Sequence, residues 1–79
     1  MQQIDISKHA RESMLRHLIS EDEVLAAMMD GKTEFELFNK GEKRYGNVIV
    51  TKQRKIVVIW TYKNGKKRII TTYPLRREV

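Results

Sequence analysis

At Thr33 the hydrophobic period of this chain changes, and that switch limits what it can fold into. Before Thr33, apolar residues recur every three or four positions, the spacing that lines one side of an α-helix. Beyond it they alternate with polar ones, as in a strand with one buried face. Helices first and strands afterwards is the chain order of an α+β domain. With 79 residues there is room for a single domain, 1–79, and one modest core.

Ser7 is placed to cap a helix from Lys8 to Leu18, with Ala10, Met14, Leu15 and Leu18 as its apolar stripe. Ser20-Glu21-Asp22-Glu23 is a capping box, in which serine hydroxyl and glutamate carboxylate each accept from the other's backbone amide. Three acids in that first turn suit the positive end of the helix dipole. Val24, Leu25, Met28 and Met29 form the buried stripe of this second helix, and Gly31 follows its end. The two make a helical hairpin.

Thr33 to Phe38, Arg44 to Thr51, Ile56 to Tyr62 and Lys67 to Tyr73 read as four strands, with Pro74 ending the last. Asn64-Gly65 signals a type I′ hairpin, because both residues tolerate positive φ. That turn sets Trp60 opposite Ile69, Val58 opposite Thr71 and Tyr62 opposite Lys67. A two-residue turn at Gln53-Arg54 sets Ile49 opposite Val58, and a four-residue loop over 40–43 sets Phe38 opposite Tyr45. The predicted fold is an N-terminal two-helix hairpin packed on one face of a four-stranded antiparallel meander, in the order ααββββ.

Alternation then sorts the strands into two faces. Phe35, Leu37, Val48, Val50, Val57, Ile59 and Ile70 make one that is nearly all apolar, and the helices are expected on it. Its predicted partners are Ala10, Met14, Val24, Leu25 and Met28. The other carries Glu34, Glu36, Tyr45, Asn47, Ile49, Val58, Trp60, Tyr62, Lys67, Ile69, Thr71 and Tyr73. Its mixture of rings, hydroxyls and charge is that of an open binding surface.

Charge points to a partner for that surface. Residues 1–38 hold four basic groups against eight acidic ones, whereas residues 39–79 hold twelve against two, a net of +10. A field so divided suits a polyanion. Trp60, Tyr62 and Tyr73 offer rings to bases, and Arg44, Tyr45, Lys67 and Arg68 complete a nucleic-acid-binding set. There is no cysteine, which removes disulfides and thiolate chemistry and fits a reducing cytoplasm. No basic segment followed by an apolar run marks a signal peptide, and the longest apolar run, Ile56 to Trp60, cannot span a membrane.

No phosphate loop or metal motif is present, and no cofactor is implied. His9 and His17 stand about 12 Å apart along a helix axis, too far to share a metal. Metal-free RNA cleavage needs a base, an acid and cations for the developing phosphorane charge. His9 is a candidate base or acid, Tyr73 can position or donate a proton, and Arg44, Lys67 or Arg68 can stabilise charge.

Ser7-Lys8-His9-Ala10, Ile19-Ser20-Glu21-Asp22-Glu23-Val24 and Ile69-Ile70-Thr71-Thr72-Tyr73 together resemble a family of small bacterial proteins catalogued only as a domain of unknown function. That family is similar in turn to toxins of the RelE and BrnT type, in which two helices precede an antiparallel sheet. The resemblance implies catalytic roles for His9, Thr71 and Tyr73, an RNA target and a cognate antitoxin or other protein partner. The chain departs from the family pattern at Ser13, where an arginine is usual, and at His17-Leu18, where Arg-Gly is usual. The leading expectation is an RNA-directed, toxin-like protein, a metal-independent endoribonuclease. The alternative is a non-catalytic nucleic-acid or protein adaptor from a phage or mobile element, or a homodimer formed through the Trp60 face.

Overall fold

The computed structural model describes residues 3–51 and 54–75. In chain order these form β1 (Ile4–Ile6), α1 (Lys8–His17), α2 (Glu21–Met29), β2 (Lys32–Asn39), β3 (Glu42–Val50), β4 (Lys55–Lys63) and β5 (Lys66–Leu75). The strands make one five-stranded sheet in the order β1-β5-β4-β3-β2. The expected four-stranded antiparallel meander is therefore corrected to a five-stranded mixed sheet, still in an α+β domain. The added strand is Ile4-Asp5-Ile6, parallel to β5 at its free edge. Three residues are too few to show a period, and the partner Ile4 meets, Lys67, lies far along the chain. Among the described residues, no helix is long and apolar enough to cross a membrane.

Both helices start as their capping residues direct. The Ser7 hydroxyl accepts from the Ala10 amide and donates to the Ile70 carbonyl, so one side chain caps α1 and pins it to β5. At Ser20 both halves of the capping box form. Helix α1 ends one residue early because Leu18 takes a left-handed conformation, φ 54°. Leu18 is 83% exposed beyond the helix end, and Leu15 and Met29, at 79% and 77%, are exposed as well instead of buried in their stripes.

The helices lie on the face opposite to the one expected. Ala10, Met14, Val24, Ala27 and Met28 pack against Ile56, Val58, Trp60 and Ile69, with Tyr45 and Ile49 at the margin. Phe35, Val48, Val57, Ile59 and Ile70 form a separate cluster on the helix-free side. Polarity misled, because Asn47 at the centre of the Trp60 face is buried with partners rather than solvated. Asn47 accepts from the Trp60 indole at 2.9 Å and from the Thr33 hydroxyl at 2.7 Å, and donates to the Ala27 carbonyl at 3.2 Å. One amide thus joins α2 to three strands.

Register also differs from expectation. Asn64-Gly65 forms the tight turn foreseen, with both residues at positive φ, and Trp60–Ile69 and Tyr62–Lys67 pair as predicted. A bulge inserts Ile70 between those pairs and the rest, so Val58 faces Thr72 rather than Thr71. The strands β2 and β3 meet at a two-residue turn, Lys40-Gly41, instead of a four-residue loop, which puts Phe38 opposite Lys43. Ile49 faces Ile56 rather than Val58. Of the expected Gln53-Arg54 turn, Gln53 lies outside the described residues, while the Thr51 amide bonds the Arg54 carbonyl. Pro74 does not end β5, which runs to Leu75. At that point β5 has β4 on one side only, so the missing N–H falls on a free edge.

Candidate nucleic-acid interface

The helix-free face is built on the middle of β3, β4 and β5. Val57 and Ile59 are only 1% and 4% exposed although no helix covers them. Phe35, Ile70 and Tyr73 close over them from the neighbouring strands. Phe35 can do so because its pair across the ladder is Gly46, and a Cβ there would run into the ring. The result is an apolar floor with two aromatic side chains, Phe35 and Tyr73, at its sides.

Cations surround that floor. Strand alternation brings Arg44, Lys55, Lys63, Lys66 and Arg68 to the same face as Val57 and Ile59. Arg44 is held by Glu42, Nε to carboxylate at 3.0 Å, and Arg68 by Asp5 across the parallel β1–β5 pair. Among the described residues no ion pair engages Lys55, Lys63 or Lys66. The acids concentrate instead on the helices, at Glu12, Glu21, Asp22, Glu23 and Asp30. The helix side mixes these acids with Lys8, Arg11, Arg16, Lys43 and Lys67, whereas on the helix-free face the cations outnumber their partner acids Asp5 and Glu42.

The predicted nucleic-acid-binding set splits across the sheet. Arg44 and Arg68 are on the helix-free face. Tyr45, Trp60, Tyr62 and Lys67 gather on the other side, at the end of the sheet. There Tyr45 stacks on Trp60 at 4.6 Å, Tyr62 meets both edge-on, and the Lys67 ammonium sits 4.8 Å above the indole. Lys43 approaches the Tyr45 ring and pairs with Glu36 at 3.0 Å, and that hydrogen bond raises its pKa. These rings satisfy one another. Trp60 is 4% exposed and inaccessible to a base, while Tyr62 keeps a 54% exposed side chain. Helices cover the middle of the Trp60 face around Ile56, Val58, Trp60 and Ile69, so Trp60 itself offers no open ring to a base.

The predicted catalytic set is divided too. His9 is exposed on α1. The Thr71 hydroxyl is bonded to that of Ser13 at 3.1 Å, against α1. Tyr73 lies on the helix-free face against Val57, carried there by the bulge at Ile70. Among the described residues no group of three or more His, Asp or Glu side chains could hold a metal ion. Sequence reasoning passed over Lys63 and Lys66, although they flank the Asn64-Gly65 signal and so must face each other across the hairpin.

These features define a small α+β protein whose helices cover one side of a mixed sheet and leave the other open and cationic. The chain belongs to the family described as Domain of unknown function (DUF4258), whose model matches residues 6–74. No curated protein and no solved structure matches it.

Proposed function

We propose that the chain is an RNA-directed protein of the toxin type that holds single-stranded RNA across its helix-free face. The observation that carries this reading is that Arg44, Lys63, Lys66, Arg68 and the Tyr73 ring are spread along one face of the sheet that no helix covers. Cations meet phosphates, and a ring further along the same face accepts a base by stacking, which tolerates any sequence. The Ser7–Ala10, Ile19–Val24 and Ile69–Tyr73 motifs resemble a family that is itself similar to toxins of the RelE and BrnT type, and that resemblance favours the same partner.

Binding of a labelled single-stranded RNA, followed by anisotropy at several salt concentrations, tests it. Affinity should fall with a log–log slope of several units, and Arg44→Ala should reduce that slope by about one. Tyr73→Leu should weaken binding by roughly 1–3 kcal/mol, the worth of one stacked base. Tyr62→Leu and Lys67→Ala, on the opposite side, should leave affinity nearly unchanged. The reverse pattern would move the site to the Trp60 side, and no binding at low salt would remove RNA altogether.

Cleavage is favoured by one observation, that the Tyr73 hydroxyl shares its face with Arg44 and Arg68. If Tyr73 moves a proton, Tyr73→Phe should slow cleavage without weakening binding, and a chelator should change nothing. His9→Ala tests the role implied by the family resemblance, and a fall of roughly a hundredfold would show that RNA reaches α1. Salt-sensitive binding without any cleavage would make the chain a non-catalytic adaptor.

A further inference from the structure

A cavity of about 470 Å³ opens at the end of the sheet where β1 and β5 begin, lined by Gln3, Asp5, Lys63, Asn64, Lys66 and Arg68. Lys63 and Lys66 are direct cross-strand partners beside the turn. Like charges set opposite one another on a ladder destabilise it. Arg68 follows two residues further along the same face, held toward the cavity wall by Asp5. Three cations against one carboxylate leave an excess of two positive charges around a space with two side-chain amides for further hydrogen bonds.

We propose that this cavity is a phosphomonoester site, and that its ligand is the terminal phosphate of the RNA held on the adjoining face. The inference about the RNA rests on the function proposed above. A phosphomonoester carries close to two negative charges at neutral pH, whereas each internal phosphate of the strand carries one. The excess charge of the cavity therefore matches an end better than a link in the chain. A bound dianion would also sit between Lys63 and Lys66, neither of which makes an ion pair among the described residues.

The test compares one RNA sequence bearing a 5′-phosphate, a 3′-phosphate or hydroxyls at both ends. One phosphorylated form should bind roughly tenfold tighter than the hydroxyl form, the effect of one added hydrogen bond to a charged group. Lys66→Ala should abolish that difference. In a parallel thermal unfolding series, inorganic phosphate or adenosine monophosphate should raise Tm of the wild-type protein but not of Lys66→Ala. Without ligand, Lys66→Ala should unfold no earlier than wild type, since it removes a like-charge contact. Tight but equal binding of all three RNAs would overturn the cavity site and leave the RNA reading standing. A phosphate-dependent rise in Tm without RNA binding would keep the phosphomonoester site and overturn the RNA reading. Neither effect would overturn both.

Discussion

Gly46 shows how a single residue shapes the open face. Its missing side chain lets the Phe35 ring lie across β3 and shield Val48 and Val57 where no helix does. Gly46→Ala should therefore cost about 1–3 kcal/mol, the usual penalty of overpacking a filled site. In a Phe35→Ala background that cost should nearly vanish, because the atoms the new methyl would strike are gone. Urea denaturation of the four proteins measures the coupling. A cost that persists without the ring would show that the backbone of β3, rather than Phe35, demands glycine. Asn47 illustrates the opposite case, a polar side chain that belongs to the core because its oxygen and nitrogen both find partners there.

At the scale of elements, Arg54 holds the two helices to the β3–β4 hairpin. Its guanidinium donates to the His17 and Leu18 carbonyls at 2.9 and 2.6 Å, capping the C-terminal end of α1, and to Glu23 at 3.2 Å. A cation there suits the negative end of the helix dipole. Glu23 is at once the acid of the α2 capping box and the partner of Arg54. Its pKa is held below the ordinary value, first by the backbone hydrogen bond from Ser20 and then by Arg54, with burial opposing. A carboxylate depressed in the folded state stabilises above its unfolded pKa, and that stability is lost as pH falls through the folded value. The denaturation midpoint of the wild-type protein should thus drop as pH is lowered from about 5 to about 3, across the carboxylate range. Glu23→Gln should show a shallower drop. Equal drops in the two proteins would mean that other carboxylates carry the acid sensitivity. The bulge in β5 is the second decisive element, since one extra residue sends Tyr73 to the side opposite Trp60.

Over the whole molecule, the sheet is the rigid body and the strand order sets its stability profile. Strand β4 is central, flanked by β3 and β5, and its Val57 and Val58 are almost wholly buried. Strands β1 and β2 form the two edges, and β2 is exposed along nearly all its length. Hydrogen exchange should therefore be slowest at the amides of Val57, Val58 and Ile59, and much faster along β2. Protection of β2 equal to that of β4 would indicate that something covers the edge in solution. The bare side of the sheet carries cations in excess of acids, whereas the helix side mixes both signs, so an approaching polyanion is drawn more to the bare face.

Local chemistry was legible in the residues. Ser7 and Ser20 announce the two helix starts, Asn64-Gly65 announces the last hairpin, and the twelve basic groups after Phe38 announce an anion-seeking half. Each depends on residues close in sequence, whose geometry needs no knowledge of the rest. Which face the helices cover was not legible, because Ile56 to Trp60 is apolar on both sides and alternation says nothing about a run without polar members. That choice was made by partners distant in sequence, Ala27 for Asn47, Ser13 for Thr71 and Ile70 for Ser7. The parallel strand Ile4–Ile6 and the bulge at Ile70 are likewise products of the assembled sheet. A short segment acquires its register from the surface it docks on, and only the tertiary structure supplies that surface.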